Sequence, residues 1–70
     1  MDLEKKIRSI HDLLQKKKFL QVKKELEKLL IKIPNNSYLL NLSGLTLQYL
    51  NDYKSAINFF ILVIKKKKKN

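Results

Sequence analysis

Side chains that could act as nucleophiles, acids or metal ligands are few in this chain. It has one histidine, His11, no cysteine, and six acidic residues: Asp2, Glu4, Asp12, Glu25, Glu27 and Asp52. A lone imidazole cannot hold zinc without carboxylate help, and no thiolate is present to share the work. Acid–base catalysis needs a pair of titratable groups whose surroundings push their proton affinities apart. Here Asp2, Asp12 and Asp52 read as helix caps or helix-surface partners, and Glu25 and Glu27 stand among lysines. The chain carries no H-E-x-x-H, no phosphate-binding glycine loop, no G-x-S-x-G and no GxGxxG. The expectation is a protein that is not an enzyme and uses no metal or cofactor. His11 could meet an acidic partner in its protonated form, although a solvated surface histidine is the simpler reading.

Charge is the other chemical feature. Fifteen lysines and one arginine give a net charge of +10 over 70 residues. Two runs stand out, Lys16–Lys18 and Lys65–Lys69. Lysine clusters attract phosphate through counterion release, so a small basic protein binding nucleic acid is one alternative. Single-strand binders interleave aromatics with their basic residues for base stacking. Neither run has an aromatic within it, although Phe19 abuts the first. The second run follows Phe59–Ile64, an apolar and polybasic juxtaposition that would also suit an anionic membrane surface. Lys, Asn and Ile are abundant together, as an adenine- and thymine-rich coding sequence would also produce. The apolar run Phe59–Ile64 falls far short of the roughly 20 residues that cross a bilayer. No transmembrane segment is expected, the charged N-terminal stretch does not resemble a signal peptide, and a cytoplasmic location is expected.

The elements that would position these residues are helices. Breakers are scarce, with one glycine and one proline, while Leu, Ile and Lys are plentiful. Leu3, Ile7, Ile10, Leu13 and Leu14 fall on one helical face, after Asp2 as a cap. Glu4–Arg8 and Asp12–Lys16 are i,i+4 pairs on its surface. Phe19, Val22, Leu26, Leu29, Leu30 and Ile33 repeat the pattern until Pro34 ends it. Asn35, Asn36 and Ser37 are turn and cap types. A third segment carries Leu39, Leu40, Leu42, Leu45, Leu47, Tyr49 and Leu50, apolar on more than one side, so it should be covered by neighbours on at least two faces. Asn51 and Asp52 turn the chain into a fourth segment with Tyr53, Ala56, Ile57, Phe60, Val63 and Ile64 on one stripe. The lysines after it repel one another and should fray. This predicts an all-α chain of four helices, about 2–16, 19–33, 37–50 and 53–67, paired as antiparallel hairpins over 1–34 and 35–64, with a basic tail over 65–70. A generic four-helix bundle is the other arrangement open to such a pattern.

The halves are related. Phe19, Val22, Leu26, Leu29 and Leu30 precede Tyr53, Ala56, Phe60, Val63 and Ile64 by thirty-four residues, and Leu13 precedes Leu47 by the same step. In the second half, Leu40, Gly44, Leu47, Tyr53, Ala56, Phe60 and Val63 resemble the tetratricopeptide pattern, and Pro34 with Asn35 and Asn36 resembles its repeat-closing proline and asparagines. Gly44 and Ala56 stand where two helices of a hairpin would cross closely. The first half has Ile10 and Val22 at those places, which argues against a close crossing there but not against its helices.

The resemblance implies a right-handed α-α superhelix that binds a protein or peptide on its concave face. Carried over by position, that face comprises Ile7, His11 and Leu14 with Tyr38, Asn41, Leu45, Gln48 and Tyr49, a mixture of aromatic anchors and amides that suits recognition. Leu45 and Tyr49 could instead finish the core. Tetratricopeptide clamps for a C-terminal carboxylate use Lys and Asn where this chain has Ile7 and His11, which argues against such a clamp. The last segment is over-supplied with apolar residues: Phe59, Ile61 and Leu62 flank its main stripe. They mark an open end that could dock a second copy, a missing third repeat or a different protein. Where a further repeat would continue, the lysine run appears, so a truncated end of a longer repeat protein is a further expectation.

Overall fold

A computed structural model describes residues 2–67. All four described elements are helices: α1 (Leu3–Gln15), α2 (Phe19–Lys32), α3 (Ser37–Tyr49) and α4 (Tyr53–Lys67). Close backbone approaches run α1 to α2, α2 to α3 and α3 to α4, and none joins α1 to α4 among the described residues. A closed bundle would bring α1 against α4, so the molecule is a linear array of two hairpins. The slab measures 35 × 30 × 17 Å, about two helix layers thick.

Caps set the helix starts. Asp2 accepts from the Lys5 amide (3.3 Å) and Asn36 from the Leu39 amide (3.0 Å). Asp52 accepts from the Ser55 amide (3.3 Å). α2 has no such cap, because its N-terminal neighbour is Lys18. The two hairpin turns are built alike. The Lys17 amide donates to the Leu14 carbonyl (2.9 Å) and the Lys18 amide to the Leu13 carbonyl (3.0 Å). Thirty-four residues on, the Asn51 amide donates to Gln48 (3.0 Å) and the Asp52 amide to Leu47 (2.9 Å). The second residue beyond α1 and beyond α3 is left-handed, Lys17 at φ 59° and Asn51 at φ 65°, which lets the chain reverse while satisfying the last carbonyls.

α3 is the central helix. Leu39 and Leu42 join Ile10, Val22, Leu26 and Leu29 in one core, flanked by Leu3, Ile7, Leu13, Leu14, Leu30 and Ile33. Leu40, Gly44 and Leu47 are buried too, as are Ala56 and Val63 of α4. Burial on several sides therefore follows from the all-round apolar pattern of α3. Buried Thr46 returns its hydroxyl to the Leu42 carbonyl (2.9 Å).

The hairpins pack unequally. α3 and α4 make the most intimate pair and α1 and α2 the least. A Cβ on Gly44 would lie 2.6 Å from Cε1 of Phe60, so the ring occupies the space a side chain would take. At the matching places Ile10 and Val22 are fully buried and fill a wider gap.

Two expectations for α4 change. Tyr53, Ile57 and Ile64 were placed on its packed stripe, yet all three are more than half exposed. α4 has one neighbour, α3, and one neighbour covers only the face bearing Ala56, Phe60 and Val63. Lys65–Lys67 are helical, against the expectation of fraying and in line with the expected helix bound near residue 67. Adjacent residues point to different sides of a helix, and positive charge is favourable at its C-terminal end. Lys66 also donates to the Asn35 carbonyl. Lys68 and Lys69 lie outside the described residues.

Candidate functional site

α1 and α3 present one face of the slab. Ile7 and Leu14 are half-buried and lean on the core, so they support this face more than they expose it. His11, Tyr38, Asn41, Leu45, Gln48 and Tyr49 are exposed. His11 Nε2 and the Tyr38 hydroxyl form a hydrogen bond between α1 and α3, with the rings edge-on at 6.1 Å. This ties the two helices together on the outer surface. Leu45 and Tyr49, which could have completed the core, are 41% and 66% exposed and do not. Tyr49 instead stacks on Phe19 of α2, with centroids 4.7 Å apart and planes 3° from parallel. The aromatic beside the first lysine run is thus engaged within the fold.

Leu45, Gln48 and Tyr49 share a groove with Asn51 and Tyr53. Asn51 and Tyr53 were not among the residues expected on a binding face. The Tyr53 hydroxyl donates to Asn51 Oδ1 (2.9 Å), fixing both at the groove edge. The available signal was the Asn-Asp-Tyr corner itself, where Asn51 is left-handed at φ 65° and Asp52 caps the helix that Tyr53 begins. Among the packing residues, Leu40, Gly44, Leu47, Ala56 and Val63 are buried, Phe60 is half-buried over Gly44, and Pro34 is exposed in the turn between hairpins.

The open-end set Phe59, Ile61 and Leu62 is divided by the structure. Phe59 is half-buried and enters a cleft shared with Leu26 and Leu30 of α2 and Ser43 and Leu47 of α3. The buried Ser43 hydroxyl in this cleft has no protein partner. Leu62 lies on the outer side of α4, nearly opposite Ile57 and Ile64 at helical spacing. Ile61 stands with Tyr53, Ile57 and Ile64, at successive steps of four, four and three residues, on one uncovered stripe.

Among the described residues no group of three or more His, Cys, Asp or Glu side chains is gathered as metal ligands. No described helix is long and apolar enough to cross a membrane. Three ion pairs, Arg8–Glu4, Lys16–Asp12 and Lys28–Glu25, lie on helix surfaces at 3.9, 3.1 and 3.7 Å. Exposed pairs of this kind contribute little to stability. No protein-family model matches the chain, and no curated protein or solved structure matches it either.

Proposed function

We propose that the chain is a non-catalytic helical-repeat module of tetratricopeptide type, which binds a protein or peptide on the face formed by α1 and α3. The observation that carries this reading is the linear array: two hairpins whose turn hydrogen bonds recur at a thirty-four-residue step, with exposed Tyr38, Leu45 and Tyr49 on one side. Exposed tyrosines lose little entropy on contact and offer both a ring and a hydroxyl, which favours them as anchors. Asn41 and Gln48 between them supply adaptable amides.

Selection of peptides against the full chain from a random library, followed by titration, tests the reading. Tyr49→Ala and Leu45→Lys should each weaken a selected peptide at least about tenfold, the loss typical of a binding anchor. Helix content by circular dichroism should not change. Peptides that bind these variants as well as the parent chain overturn the assignment of the face. Salt separates the reading from electrostatic binding of nucleic acid, since phosphate contacts give a steep fall of affinity with ionic strength.

A further inference from the structure

α4 carries an uncovered apolar stripe: Ile57, Ile61 and Ile64 are 55%, 43% and 52% exposed, with Tyr53 above them at 56%. The repeat shows what such a face meets. Thirty-four residues earlier on α2 the corresponding positions are Phe19, Lys23, Glu27 and Leu30. Phe19 stacks on Tyr49 of α3. Lys23, Glu27 and Leu30 line the cleft with Ser43 and Leu47 of α3. α3 thus packs beside that face of α2, with Glu27 left exposed at the cleft. On α4 the two polar positions have become isoleucine, so its face is better suited to an apolar helix than the one already occupied.

Copies of this chain are poor candidates for the occupant. Stacking head to tail would set α1 of one copy on α4 of the next. The α1 positions matching Leu39, Leu42 and Thr46, which α3 buries, are Lys5, Arg8 and Asp12, all exposed and charged. Two-fold pairing of α4 with itself fares no better. Lys54 and Lys65 border the stripe, each three or four residues from Ile57 or Ile61. α4 contains no acidic residue, and the neighbouring Asp52 is taken up as its cap. An antiparallel pair would bring Lys54 of each copy towards Lys65 of the other, in a chain of net charge +10.

We infer that the Tyr53–Ile57–Ile61–Ile64 face of α4 docks an amphipathic helix of another protein, apolar at i, i+3/i+4 and i+7 and flanked by Asp or Glu facing Lys54 and Lys65. It would sit as α3 sits on α2. This rests on the reading of the chain as a binding module and adds a second surface and the chemistry of its partner.

The test uses a labelled synthetic helix copying Ser37–Leu50, with its outward positions changed to glutamate, titrated into the full chain by fluorescence anisotropy. The same helix with lysine at those positions is the control. The glutamate helix should bind at least about tenfold more tightly than the lysine helix, and Ile57→Lys with Ile61→Lys should abolish binding while circular dichroism stays unchanged. Lys54→Glu with Lys65→Glu should reverse the preference, an effect that misfolding would not produce. Equal binding of both helices overturns the inference. So does a dimer, seen by sedimentation at micromolar concentration, that the isoleucine variants dissolve. So does binding to vesicles containing phosphatidylserine that the same variants lose. Binding that survives the α4 variants but is lost in Leu45→Lys overturns this inference and leaves the proposed binding face standing. Failure of the designed helix and of every selected peptide overturns both.

Discussion

In the first hairpin the crossing positions hold Ile10 and Val22, both fully buried; in the second they hold Gly44 and Ala56, with the Phe60 ring laid over the glycine. The turns are hydrogen-bonded alike, so the difference lies in how far apart the helices stand. The first pair is spaced by its own side chains. The second pair is closed by their absence. Enlarging a crossing residue should therefore cost most in the second half, and shrinking one should cost most in the first.

The largest effects should come at those positions. Ala56→Leu should destabilise the chain by about 3 kcal/mol, the upper range of overpacking, whereas Val22→Leu, in the looser crossing, should cost about 1 kcal/mol. Ile10→Ala should cost about 3 kcal/mol through the cavity it leaves. Urea unfolding of the three variants measures this, and equal costs for Ala56→Leu and Val22→Leu would erase the distinction between the hairpins. Gly44→Ala comes next. It should lose about 1–2 kcal/mol to the contact with Phe60, net of the gain in helix propensity. In a Phe60→Leu background the loss should shrink, and a double-mutant cycle that shows no coupling would mean that the ring is not what excludes a side chain there.

The turns differ less. Lys17 holds a left-handed conformation at φ 59° without the tolerance that asparagine has, so Lys17→Gly should stabilise by roughly 1 kcal/mol. Asn51→Gly should change stability by less, because asparagine adopts this conformation readily and its side chain accepts from Tyr53. The smallest effect concerns the starts of the second helices. Lys18→Asp should add the cap that α2 lacks and gain about 0.5–1 kcal/mol, while Asp52→Ala should lose about as much from α4. Thermal melts of the two variants check the pair.

Much of this contrast could be read in the residues. Gly44 and Ala56 marked one close crossing, and Ile10 and Val22 a thirty-four-residue step earlier argued against a second. Asp2, Asn36 and Asp52 marked three of the four helix starts, because a side-chain oxygen before an apolar run meets free amides wherever the helix lies. Periodicity gave the faces of α1 and α2, which are sharply amphipathic. It failed on α4, where apolar residues cover more than half the circumference. There the pattern does not say which arc a single neighbour will cover, and Ile57, Ile64 and Tyr53 were assigned inward although they face out. The groove beside Tyr49 was only partly legible for a similar reason: Asn51 and Tyr53 enter it through the direction of a turn, which composition does not specify.

The amino-acid sequence by itself determined the four helices, their order, the repeat that relates them and the absence of recognised catalytic motifs, since these follow from local spacing and side-chain chemistry. Only the tertiary structure decided that the helices form an open row and not a closed bundle. That choice rests on which faces find neighbours. α3, with helices on both sides, buries nearly all its leucines, while α4, with one, leaves three isoleucines uncovered.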